Sequence, residues 1–214
     1  MSFKIVTAAA AVVAALFAAP AQAGIIFSDN FDADNASSAL NFNNLINWTV
    51  SGGTIDYIRS GGFGISCVGG TGGCLDMDGS TGSAGRITSR QLFDFDDGVL
   101  YFFDLALSGN QRGGASDTVN FGLIRESDGA LFGGVIGPIA PGAPFSGYSG
   151  GFDGVNVPGS WRLFIEGVGG DNIGAILDNV VLRDNRTATV PEPATLLLSG
   201  LALLAVGAVR RRGR

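Results

Sequence analysis

From Gly24 to about residue 185 the chain never holds an apolar period of 3.6 for as long as a helix needs, and this restricts its fold more than any other feature. Short runs of aromatic and β-branched residues alternate instead with glycine clusters, the pattern of an all-β chain. The strongest run is VLYFFDLAL, Val99 to Leu107. A period of two puts Val99, Tyr101, Phe103, Leu105 and Leu107 on one face, and Leu100, Phe102 and Ala106 keep the other apolar enough for a central strand. Asp117 to Arg125 aligns Val119, Phe121 and Leu123, and Trp161 to Val168 aligns Trp161, Leu163 and Ile165. Gly174 to Leu182 groups Ile176, Val180 and Leu182, with Asp178 interrupting the row. Leu45 to Val50 and Thr54 to Ile58 flank Ser51-Gly52-Gly53 and read as a hairpin-like pair. Gly85 to Phe95 gives two short runs, and Pro138 to Gly154 reads as a long irregular connection. Roughly nine or ten strands suit a β-sandwich or jelly roll. The missing crossover helices argue against a parallel α/β sheet.

The two ends follow other rules. Met1 to Lys4 carries one positive charge, Ile5 to Pro20 is almost wholly apolar, and Ala21-Gln22-Ala23 is a small-residue cleavage site. This predicts a signal helix removed before Gly24, hence export. At the other end Ala194 to Val209 is a 16-residue stretch without a charge. As a helix it would be about 24 Å long against a hydrocarbon core of about 30 Å, a marginal span. Arg210, Arg211 and Arg212 follow it and direct the C-terminus to the cytoplasm. The predicted organisation is a signal peptide at 1–23, a β-sandwich ectodomain at 24–186 and a tail at 187–214, so the sandwich is flanked by a signal helix and a transmembrane-like helix.

Charge and composition exclude whole classes of chemistry. The chain has 13 basic residues; Lys4 and four arginines beyond Val209 belong to the ends, leaving 8 arginines against 19 carboxylates, or −11, in between. That excess argues against nucleic acid, which needs a basic face. Histidine is absent, so Ser-His and Cys-His nucleophiles and a histidine base are excluded. The only cysteines, Cys67 and Cys74 in CVGGTGGC, read as a local disulfide in an oxidising compartment.

Val190-Pro191-Glu192-Pro193, the apolar stretch and the arginine cluster stand in one order that resembles the PEP-CTERM sorting signal of exported bacterial proteins. The resemblance implies recognition by an exosortase, a membrane-embedded cysteine peptidase. It also implies a transient tether in the inner membrane of a Gram-negative bacterium, then delivery to the cell surface or an exopolysaccharide matrix. The alternative is a plain single-pass anchor. More weakly, Gly109-Asn110-Gln111-Arg112 with Asp117, and Gly170 to Val180 (GDNIGAILDNV), are similar to motifs of PEP-CTERM ectodomains. The Asp-Asn-Val ending also resembles the last strand of galactose-binding-like jelly rolls, carbohydrate-binding modules among them.

That second resemblance implies a structural Ca2+ between first and last strands, with Asp32 and Asp178 as its ligands here. The competing expectation is a solvated turn at Asp29 to Asp34, with Asp178 bonding backbone amides. Asp76-Met77-Asp78-Gly79 and Asp94 to Gly98 are similar to fragments of calcium loops but lack the full pattern; turn aspartates explain them equally. Arg112 is expected to pair with an acid such as Asp117 and fasten its loop. Trp48, Tyr57, Trp161 and Tyr148 are candidates for a sugar-stacking platform or for the core, with Tyr148 expected to be the exposed one. A glycoside hydrolase could work with two carboxylates, but Glu126, Glu166 and Glu192 show no spacing that marks a pair, so no catalytic residue is assigned. The reading is an exported, non-catalytic structural or adhesive β-module that contacts extracellular polysaccharide; a secreted hydrolase is the alternative.

Overall fold

In the computed structural model, which describes residues 23–187, the glycine-punctuated runs become strands: β1 (Ala23–Asp29), β2 (Trp48–Ser51), β3 (Asp56–Arg59), β4 (Gly73–Asp76), β5 (Arg86–Ser89), β6 (Phe93–Asp94), β7 (Leu100–Ser108), β8 (Asp117–Arg125), β9 (Leu131–Ile139), β10 (Ser146–Asp153), β11 (Ser160–Val168) and β12 (Ile176–Thr187). The predicted signal helix, the VPEP motif and the terminal apolar stretch lie outside the described residues. Two six-stranded sheets result. The first runs β10-β7-β12-β4-β3, with β1 also on β12; the second runs β2-β5-β11-β8-β9, with β6 also on β11. Neighbours along both rows are antiparallel. This is the expected all-β sandwich.

The alternation in the strands fixes which face is inside. Tyr101, Phe103, Leu105 and Leu107 of β7 face Val119, Phe121 and Leu123 of β8 and Trp161, Leu163 and Ile165 of β11 in one core, sealed by Trp48 and Tyr57. Burying each such side chain contributes roughly 1.5–3 kcal/mol. Both buried indole N–H groups find an acceptor: Trp161 Nε1 donates to Val157 O at 2.9 Å and Trp48 Nε1 to Asp29 at 2.8 Å. Trp48, Tyr57 and Trp161 are therefore core residues, not a platform. Core and ladders close within Gly24–Asn185, a self-contained unit.

Three expectations are corrected. β2 and β3 are not a hairpin: β2 pairs with β5 in one sheet and β3 with β4 in the other. Ser51 to Gly53 cross between the sheets, because Thr54 N–H bonds Ser83 O at 3.0 Å and pulls the chain away. A Cβ at Gly53 would sit 2.3 Å from Ser83 O and from Ala84 O, so only glycine allows that approach. Second, Ile176 does not share a face with Val180 and Leu182. A bulge between Asp178 and Val181, with Asn179 at φ 47°, shifts the parity, so that Leu177, Val180 and Leu182 enter the core. Ile176 instead packs with Ile58, Ile65 and the bonded Cys67–Cys74 pair in a second cluster on the outer side of the sheet. Third, Pro138 to Gly154 is not irregular: β9 reaches Ile139 and β10 occupies Ser146–Asp153. Tyr148 lies in β10 and is half-buried against the core.

Candidate functional site

The outer face of the second sheet gathers the polar half of the same alternating strands. β11 turns Trp161, Leu163 and Ile165 inward, so Arg162, Phe164 and Glu166 point outward; β8 likewise presents Asn120 and Gly122. Register places Arg86, Glu166 and Asn120 side by side across β5, β11 and β8. The Arg86 guanidinium meets Glu166 Oε1 at 3.0 and 3.2 Å, and Asn120 Nδ2 donates to Glu166 Oε2 at 3.2 Å. Arg86 also lies 5.3 Å above the Phe164 ring. Beside this trio, Leu131, Val135 and Phe164 form an apolar wall, and with Gly133 and Gly134 they enclose a trough of about 240 Å³. Gly122 and Gly133 face one another across β8 and β9 and let the two strands approach closely. A Cβ on either would fall within 2.2 Å of the opposite backbone.

A rigid acceptor, an amide and a guanidinium beside an apolar wall can hydrogen-bond a polyhydroxylated ring while its C–H face rests on carbon. The trough holds one carboxylate, whereas glycoside hydrolysis by the usual route takes two. Glu126, the other glutamate of the ectodomain, is fixed by Arg162 at 2.6 and 3.0 Å, which holds its carboxyl below the usual range rather than raising it as a general acid requires.

The two motif loops noted in the sequence meet elsewhere, around Asp76. Arg112 pairs with Asp76, not with Asp117, and also donates to Asn172 O at 3.2 Å. Asp117 instead accepts from Asn110 Nδ2 at 3.2 Å, while Asn110 Oδ1 takes the N–H groups of Arg112 and Gly113. Asp76 Oδ1 accepts from Asp78 N–H and, across the sheet end, from Gly174 N–H at 2.9 Å. Burial pushes Asp76 up to about 7 despite Arg112, and pushes Asp117 up to about 6 despite Asn110. Asp78 Oδ2 in turn accepts from Asp171 N–H at 3.1 Å, so Asp76 holds the 109–112 and 170–174 loops and Asp78 the latter. Sequence reasoning missed the role because the partners are far apart along the chain.

Asp32 and Asp178 brace the disulfide loop from two sides. Asp178 Oδ2 accepts from Val68 N–H at 3.0 Å and Asp32 Oδ1 from Gly73 N–H at 2.7 Å. Burial pushes Asp178 up to about 6, with Asp32 and Asp29 adding like-charge repulsion. The remaining oxygens accept from Asn179 N–H and Asn30 Nδ2. Each of these oxygens accepts one such bond and keeps a second lone pair. No group of three metal-ligating side chains converges among the described residues, so carbonyls or water would complete the six to eight oxygens calcium takes.

Comparison with known proteins agrees with both halves of the chain. Residues 189–212 match the PEP-CTERM protein-sorting motif. No curated protein sequence matches the chain. Among solved structures, the CBM22-1 xylan-binding domain of Xyn10C from Paenibacillus barcinonensis is similar at 14% identity over 79% of this chain and 100% of that domain, with a TM-score of 0.50. The CBM22-1-GH10 modules of Clostridium thermocellum endo-1,4-beta-D-xylanase 10B, in complex with xylohexaose, give 17% identity, 79% and 30% coverage and a TM-score of 0.48. A carbohydrate-binding module of Cellvibrio mixtus lichenase 5A gives 12%, 74% and 97%, with a TM-score of 0.41. The chain is an all-β sandwich with the fold of a carbohydrate-binding module, ending in a PEP-CTERM sorting motif.

Proposed function

We propose that this is an exported surface protein whose sandwich binds a neutral extracellular polysaccharide through the outer face of its second sheet, without cleaving it. The observation that carries the reading is the Arg86–Glu166–Asn120 trio set beside the apolar wall of a glycine-lined trough. The acidic balance of −11 disfavours a polyanionic glycan, so the ligand is an uncharged one. Its partners in delivery are an exosortase-type membrane peptidase, which reads Val190 to Pro193, and the inner membrane, which holds the apolar segment until cleavage. The final location is the cell surface or matrix. A Ca2+ held by Asp32 and Asp178 is part of the same proposal, as a brace for the disulfide loop and not as a ligand contact.

The test is a glycan array and affinity electrophoresis with residues 24–187, carried out alongside Glu166→Ala and Asn120→Ala. Binding to neutral glycans that falls at least about tenfold in either variant supports the site, since losing a hydrogen bond to a charged group costs about 1.5–3 kcal/mol. Full binding in both variants, or release of reducing sugar that one carboxylate substitution abolishes, overturns it.

A further inference from the structure

One side of the sandwich differs from all the others. β9 and β10 are the terminal strands of their sheets, and among the described residues neither has a strand on its outer side. Free edges of eight and nine residues are normally blunted by charge. Here Leu131 to Gly151, 21 residues covering all of β9 and β10 up to its last two residues, carries no charged side chain; Asp153 at the end of β10 is the first. Only Pro138 and the bulge opposite Asp117 and Val119 disturb the edge, and both lie toward the end of β9.

Between the two edges lies a groove of about 220 Å³ lined by Phe103, Phe121, Leu123, Phe132, Phe152 and glycines of both strands. The glycines keep it open: a Cβ at Gly150 would meet the Phe121 ring at 2.9 Å. The lining side chains offer no hydrogen-bonding group, so a sugar would be poorly held. Phe132 is 38% exposed at the rim.

We propose that the β9–β10 edge is the surface through which two copies of this chain associate, each laying Phe132 against the groove of the other. A second copy is the occupant that the charge distribution selects. Carboxylates elsewhere repel an identical acidic molecule, and this uncharged side is where the repulsion is least. A knob and a hole on the same edge also satisfy the self-complementarity of a two-fold contact. The trio of the trough lies on β5, β8 and β11, whereas Gly133 and Gly134 of β9 border both the trough and this groove.

The experiment is sedimentation equilibrium of residues 24–187 at low and high salt, with Phe132→Glu and Ser149→Glu. The wild type is expected to dimerise with rising concentration, and more tightly at high salt, which screens the repulsion between copies. Each variant is expected to raise the dimer dissociation constant at least about tenfold, because like charges face one another across the two-fold. Ser149 is exposed on β10, so its variant keeps the test sharp if Phe132→Glu loses stability. In the wild type, association should also slow amide exchange in Leu131 to Val135 and Gly147 to Gly151. A monomer at every concentration, a dimer indifferent to both variants, or a monomer that takes up an apolar dye in the groove overturns the proposal.

Discussion

Asp76 is fully buried, accepts two backbone N–H groups and pairs with Arg112, yet burial outweighs all three and pushes its carboxyl from 3.8 to about 7. In the unfolded chain it titrates near the ordinary value. A raised folded pKa means that the native state binds the proton more tightly. Stability is therefore fully present at low pH and is lost as pH rises through the window from about 4 to 7. Between pH 5 and 8 the loss spans two units, about 3 kcal/mol at 1.36 kcal/mol per unit. For a domain of this size that lowers the melting temperature by roughly 6–12 °C. Asp117 and Asp178, both raised to about 6 by burial, push the same way, and no histidine titrates in the interval. The assay is differential scanning fluorimetry of residues 24–187 from pH 5 to 8, with Asp76→Asn in parallel. Asparagine keeps the oxygen that accepts from Asp78 and Gly174 but cannot ionise, so its melting temperature should fall less over the same range. A wild-type profile that is flat or rises with pH, or an Asp76→Asn profile of equal slope, would refute the reasoning.

Removing residues 190–214 is expected to release an otherwise unchanged domain into the medium, read by immunoblotting of culture fractions; full-length protein that stays anchored and uncleaved beside an active exosortase would sink the sorting assignment. Millimolar calcium is expected to raise the melting temperature, by roughly 5–11 °C if calcium stands at a hundred times its dissociation constant. The rise should vanish with chelator and in Asp178→Asn, and coincident curves with and without calcium would dispose of the Asp32–Asp178 site.

How far the fold could be read depended on where each segment keeps its information. Val99 to Leu107 and Trp161 to Val168 carry it in side-chain alternation, so their faces were assigned correctly. β9 and β10 carry little: six of the seventeen residues in LFGGVIGPI and SGYSGGFD are glycines, and the strands exist because β8 and β7 pair with them. The β2–β3 link failed because a short glycine turn looks the same whether it closes a hairpin or crosses between sheets. The inserted residue at Asn179 inverted half of β12, and nothing in a two-residue period announces a bulge. The trough was half legible. Arg162, Phe164 and Glu166 already alternate outward in WRLFIEG, but only the register of β5, β11 and β8 brings Arg86 and Asn120 to Glu166. The Arg112–Asp76 pair spans 36 positions and has no local trace.

β12 has one further consequence. It is the last strand before the tail, and it lies inside its sheet, bonded to β7 on one side and to β4 and β1 on the other. Any pull exerted through the C-terminus, by a membrane tether or by flow across a matrix, therefore falls on an interior strand rather than on an edge. Peeling it away would require breaking ladders on both flanks together while extracting Leu177, Val180 and Leu182 from the core. The strand that leads into the tail is thus gripped on both flanks and by the core.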